Sequence, residues 1–340
     1  MKRSSIKFLN LFLRVAGVIV LLTLLVASLA YYQIWKAHPM WNSNEPNRVL
    51  YIHSGTDWNQ LQNHIDTSLP NVQISLFEFM GERMNLNNHI YSGRYELEKN
   101  LSLVELIRRL RSGVQNPVLV TIPEIESVTE ALIRGTRNLQ IDSIQIISYL
   151  KQNKDWKQHP HWVIPNTYEM YWDVTVENYM DRIYREGKNF WQQAKQKEKL
   201  GALGLDAKEA YILASIVDRE TNSIKEMDRI AGVYYNRLEI NMPLQADPTI
   251  KYLLPKGVTR ILYKDLEIDS PYNTYRNTGL PPGPLGLASL NSINSVLELE
   301  DHNYLYFCAN PEQPGTHSFS KTYSEHLRNA QKYHRSLKKG

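Results

Sequence analysis

The chain has 340 residues, of which 42% are hydrophobic and 22% charged, and a formal net charge of +4. That length holds one large domain or two modest ones with an ordinary core. So slight a charge, with no basic stripe among aromatics, argues against a nucleic-acid binder, and one cysteine, Cys308, excludes an internal disulfide.

Residues 15–32 are an uncharged apolar run, long enough to span a bilayer with little tilt. Lys2, Arg3, Lys7 and Arg14 precede it, which predicts a cytoplasmic N-terminus and export of the rest. Tyr31, Tyr32 and Trp35 stand where an interfacial aromatic belt would. Ser28, Leu29 and Ala30 offer the rival reading of a cleaved signal peptide, but the run exceeds the usual signal core. The expectation is a cytoplasmic tip and transmembrane anchor over residues 1–36, followed by a linker over 37–47 with two prolines.

Residues 49–53 alternate like a strand, and Trp58, Leu61 and Ile65 begin an amphipathic segment. A second strand is predicted at 93–97. Ser102 with Glu105 makes a capping box for a helix whose apolar face is Leu103, Leu106, Ile107 and Leu110, stopping at Gly113. A strand at 118–122 completes a small α+β module, 48–122. The remainder, 123–340, reads as a mixed α+β domain. Helical pattern runs over 123–135 and 141–150, and 176–196 reads as one amphipathic helix with a solvated basic face.

Residues 206–252 carry the chemistry. Asp206 with Glu209 caps a helix whose apolar face is Ala210, Leu213, Ala214 and Val217. At roughly 100° per residue Glu220 falls at the edge of that face and Asp218 points away. A carboxyl held half out of water has a raised pKa and can carry a proton at neutral pH. The alternative is two packed helices with solvated acids. Ser223 with Glu226 predicts a second capping box, with Met227, Ile230, Ala231 and Tyr234 facing inward and Asn236 and Arg237 near the end. A loop, 244–249, presents polar side chains between fixed prolines. Further on, 270–275 and 279–283 form a rigid polar segment offering Tyr272, Asn273 and Tyr275, either as a ligand wall or as a structural loop. Residues 304–308 read as a buried strand holding Cys308, and His317 and His326 as supporting residues. No HExxH, Cys/His cluster or GxSxG occurs, so neither a metal nor a cofactor is expected.

Six blocks, ASIVDRET, YNRL, LQADPTIKY, SPYNTY, GLPPGP and GTHSFSKTYSEH, occur in that order. Together they resemble the endolytic murein transglycosylase (YceG-like) family. The resemblance implies a membrane-anchored enzyme that cuts nascent peptidoglycan strands, with Glu220 as its catalytic acid and 48–122 as a LysM-like module. It implies one carboxyl where most glycosidases use two, because the muramyl 6-hydroxyl closes a 1,6-anhydro ring. No second acid in the sequence looks as well placed as Glu220. Asn236, Gln245 and Asn273 would then hold the sugar, Tyr272 and Tyr275 would wall it, and Asp247 would partner Arg237. Aspartate at 218 and asparagine at 166 depart from residues common there in the family. Glycan strands, the inner membrane and peptidoglycan synthases are the implied partners. The rival class is an anchored glycan-binding or division scaffold without turnover, which would not need Glu220.

Overall fold

The computed structural model describes residues 2–35, 48–98, 101–153, 155–258 and 260–337. The expected linker, 37–47, lies outside them. The chain divides into two compact units, residues 1–118 with 169–173, and residues 119–168 with 174–340.

In the first unit, α1 spans Lys2–Trp35. Its described apolar side chains are exposed, Val18 by 56% and Leu24 by 61%. Among the described residues, no helix is long and apolar enough to cross a membrane. The side chains of Tyr31 and Trp35 lie outside those described. Strand β1 (Arg48–Ile52) pairs antiparallel with β2 (Gly93–Leu97), in register from Arg48 opposite Leu97 to Ile52 opposite Gly93. Between them run α2 (Trp58–Ser68) and α3 (Ile74–Arg83), and α4 (Leu103–Ser112) follows. Alternation turns Leu50, Ile52, Tyr95 and Leu97 inward, where they meet Leu61, Ile65, Phe77, Leu106 and Leu110. Both capping boxes, Asp57 with Gln60 and Ser102 with Glu105, are formed. Asp173 belongs to this unit because Ser92 Oγ and Gln115 Nε2 donate to its carboxylate at 2.5 and 2.7 Å.

The strand expected at 118–122 is β3 (Val118–Thr121), and it pairs with β4 (Thr167–Met170) rather than with the module before it. In the second unit the helix expected from 123 begins only at Val128: α5 is Val128–Gly135, with Ser127 as its cap. It is followed by α6 (Ser143–Gln152) and the short α7 (Asp155–Gln158). The single helix expected over 176–196 is two, α8 (Val176–Gln192) and α9 (Ala194–Leu203). Gln193 between them is extended, with ψ 143°, which ends the helical ladder.

The core is built round α10 (Ala207–Glu220), packed against α11 (Ile224–Glu239) and α13 (Leu290–Leu297). Every residue from Ala210 to Val217 is buried. So α10 is enclosed on all sides rather than carrying the one apolar stripe expected. Its buried Ser215 donates to Ile212 O at 2.7 Å and accepts from Leu285 N at 3.0 Å, and the Tyr211 hydroxyl donates to Val163 O at 2.9 Å and accepts from Ala288 N at 3.2 Å, which satisfies both polar side chains in that run. The loop expected over 244–249 becomes α12 (Asp247–Leu253), with Pro248 in its first turn, where a missing N–H costs nothing. Strands β5 (Tyr306–Ala309) and β6 (His317–Ser320) pair antiparallel, and α14 (Tyr323–Leu337) follows. The strand expected to be buried is half-buried along β5, Cys308 included.

Candidate active site

Glu220 is the last residue of α10, and Thr221 after it is extended. A helix C-terminus carries partial negative charge, which already disfavours a carboxylate there. Helix α11 brings the Tyr234 hydroxyl to 3.0 Å from Glu220 Oε2, to which it donates. Tyr234 is fully buried and Glu220 half-buried. Burial pushes the Glu220 carboxyl up to about 7; Tyr234's hydrogen bond pulls the other way, neighbouring Asp247 adds to the rise, and Arg237 opposes it. Burial, and next the Glu220 charge, hold the Tyr234 hydroxyl well above its ordinary value, so it stays a donor.

Glu220 opens on a cleft of about 570 Å³ lined by Glu126, Arg219, Asp247, Pro248, Lys251, Tyr252, Val258, Arg260 and Ile261. That size is ordinary for a small-ligand site. Asp247 starts α12, where a negative charge suits the helix N-terminus. The Tyr275 hydroxyl donates to Asp247 Oδ1, and burial followed by that bond raises its pKa. Arg219 donates to Ser215 O at 3.1 Å. Gly286 makes room for the cleft wall, since a Cβ there would stand 2.2 Å from Arg219 Nη2 and 2.7 Å from Glu126 Cα. The approach to α12 is pinned by Thr274, whose carbonyl accepts from Gln245 N and whose Oγ1 accepts from Ala246 N, both at 3.0 Å. Gln245 takes a left-handed φ of 48° and its side chain is exposed.

The structure sorts the expected sugar-holding residues. Glu220 and Asp247 line the cleft together, Gln245 stands exposed two residues before Asp247, and Tyr275 touches Asp247. Tyr272 is half-buried, its ring 5.0 Å from that of Tyr252 in the cleft wall. Asn236 spends its amide on His302 O at 2.7 Å and Tyr304 O at 3.1 Å. Arg237 is buried, giving Nε to Leu305 O and Nη1 to Leu244 O, both at 2.6 Å. It does not pair with Asp247 as expected, whose partner is Tyr275. Asn273 has no exposed surface and donates to Leu266 O and Ile268 O while accepting from Tyr275 N. These three residues staple loops around the site.

Three further expectations change. Asp218 is half-buried rather than a free surface acid: Ser289 Oγ donates to it at 2.5 Å beside the start of α13. Ser223 and Glu226 form no capping box, because Glu226 turns inward and accepts from His317 N at 2.9 Å, with His317 Nδ1 3.0 Å from its other oxygen. The idea that no other acid is well placed also yields, since Asp247 and Glu126 share the cleft with Glu220. Sequence reasoning missed Arg219, Lys251 and Tyr252 although all three sit inside the quoted blocks. Glu126 and Arg260 lie outside every block, and only the fold brings them in.

The profile of the YceG-like family matches residues 50–332. A Bacillus subtilis protein named endolytic murein transglycosylase is 33% identical over 266 residues, covering 71% of this chain and 72% of that protein. A Streptococcus pneumoniae protein of the same name is 28% identical over 296 residues, 75% of this chain and 52% of that one. A crystal structure of a yceG-like protein from Listeria monocytogenes matches with 26% identity and a TM-score of 0.51, over 83% of this chain and 98% of its own.

Proposed function

The chain belongs to the YceG-like family, and from that premise we propose that it is an endolytic murein transglycosylase, a lyase cutting peptidoglycan glycan strands between N-acetylmuramic acid and N-acetylglucosamine. The observation that carries the chemistry is Glu220: a half-buried carboxyl at a helix C-terminus, held by Tyr234, with a pKa near 7 and an open cleft before it. Protonated Glu220 gives its proton to the bridging oxygen as the bond to the muramyl anomeric carbon breaks. The resulting carboxylate takes the proton of the muramyl 6-hydroxyl, whose oxygen attacks that carbon. A 1,6-anhydro ring closes, no water is consumed, and Glu220 ends protonated again. The Asp247 carboxylate in the same cleft favours the positive charge that develops on the sugar.

Asp247 also motivates a second reading. Two carboxyls flanking a glycosidic bond are the equipment of a hydrolase, which would leave a reducing muramyl end. Mass spectrometry of products from uncrosslinked strands separates the readings. Anhydro ends, lighter by one water, are expected; reducing ends alone would support hydrolysis, and uncut strands the non-catalytic scaffold.

We place the enzyme at the inner membrane as a single-pass protein with a cytoplasmic N-terminus, ending strand elongation beside peptidoglycan synthases. Support comes from the uncharged run 15–32 behind basic residues and from the exposed apolar side chains of α1. The strand, two helices and antiparallel strand from β1 to β2 support a LysM-like, glycan-contacting reading of the first unit.

A further inference from the structure

Beside the catalytic cleft lies a second cavity of about 430 Å³ that shares two walls with it, Glu126 and Arg219. Its other walls come from residues 124–127, the first and last turns of α5, Asp218 and Lys256. Sugars are neutral, yet this lining carries both signs of charge. Most of it is already matched. Arg134 pairs with Glu130, Asp218 accepts from Ser289, and Arg219 lies close enough to feel the charges of Asp218 and Glu126. Glu124 and Lys256 are left without an ion-pair partner among the described residues. Both side chains are exposed at the cavity's rim, and burial, then the charge of Asp218, raise the Glu124 carboxyl's pKa.

Resting on the transglycosylase reading, we propose that this cavity is a stem-peptide subsite. The substrate of that reading bears, through the lactyl ether of each muramyl residue, a short peptide with carboxylates and an ammonium group. The peptide on the muramyl residue at the cleft enters the adjoining cavity, setting its ammonium against Glu124 and a carboxylate against Lys256. Glu126 and Arg219 border both spaces, so the cavity adjoins the cleft where the peptide would leave it. Two point charges of opposite sign select a zwitterion over a bare sugar. The glycan cleft and this cavity together thus read whether a muramyl residue still carries its peptide.

The test compares uncrosslinked strands that keep their peptides with the same strands stripped by an amidase. Anhydro-end formation should show kcat/KM roughly tenfold or more lower on stripped strands. Glu124→Gln and Lys256→Gln should each lower kcat/KM on peptide-bearing strands by about three- to tenfold, through KM, and leave stripped strands unchanged. Equal rates of the native enzyme on both substrates, or variants that slow both alike, would overturn the subsite. Calorimetry with the amidase-released peptide reads it without turnover. Binding by the native protein that Glu124→Gln weakens is expected, and no binding, or equal binding, also overturns it. Peptide binding without anhydro ends would instead sink the transglycosylase reading and leave the subsite standing.

Discussion

Glu220 owes its proton first to burial, at the point where α10 stops. Asp218 and Arg219 before it are likewise only half-buried, and Thr221 after it is extended and off the helix end that disfavours a carboxylate. The carboxyl must be protonated to act as acid, so kcat/KM should fall as pH rises through about 7. Tyr234's hydrogen bond favours the ionised form. Tyr234→Phe should therefore move that alkaline limb to higher pH while slowing turnover; an unmoved limb would remove Tyr234 from the account. The same carboxyl has a stability consequence. Its folded pKa of about 7 exceeds the ordinary 4.5, so its contribution is fully present below 4.5 and lost as pH rises through 7. Glu220→Gln cannot ionise and should be more stable than the native chain at pH 8 by roughly 1–3 kcal/mol, with the gap closing at pH 4.5. Urea unfolding at the two pH values measures it. Asn273 behaves oppositely. Asn273→Ala strands two carbonyls and an N–H in part-buried loops and should cost about 1–3 kcal/mol of stability with KM nearly unchanged. A KM rise without destabilisation would return Asn273 to the sugar.

At the scale of elements, close approach decides as much as chemistry. Gly187 on α8 lies against the turn at Pro160–Trp162, where a Cβ would sit 1.9 Å from Trp162 O. The obstacle is backbone, so Gly187→Ala should cost roughly 1–3 kcal/mol by chemical denaturation. An unchanged midpoint would mean that α8 does not press on that turn. Helices with a clean apolar face and a cap, such as α4 with Ser102 and Glu105, were legible in the sequence. Helix α10 was legible as a helix but not as one enclosed on all sides, because periodicity does not say how many neighbours pack around it. The break at Gln193 left no trace, since no proline or glycine marks it. Ser223 and Glu226 had the spacing of a capping box, but a distant partner, His317, took the carboxylate. Local spacing names the candidate bond, and tertiary packing chooses among candidates.

At the scale of the molecule, the order of six blocks made the family readable, while the cleft depends on residues far apart in the chain. Glu126 and Arg260 reach the wall only through the fold. So do the roles of Asn236 and Arg237, which look like ligand groups in sequence and act as staples. The anchor reading is tested by intact mass of protein extracted from membranes. Residues 1–36 should still be attached, and a mature chain beginning near Tyr31 would contradict it. The central claim is that one carboxyl, Glu220, cuts the strand by proton transfer. Its most direct measurement is the rate of anhydromuramyl end formation by Glu220→Gln on uncrosslinked glycan strands, with circular dichroism as the folding control. Removing a general acid typically costs about 10²–10⁴-fold, and the account predicts a loss at least that large in a folded protein. Near-native formation of anhydro ends by that variant would contradict it.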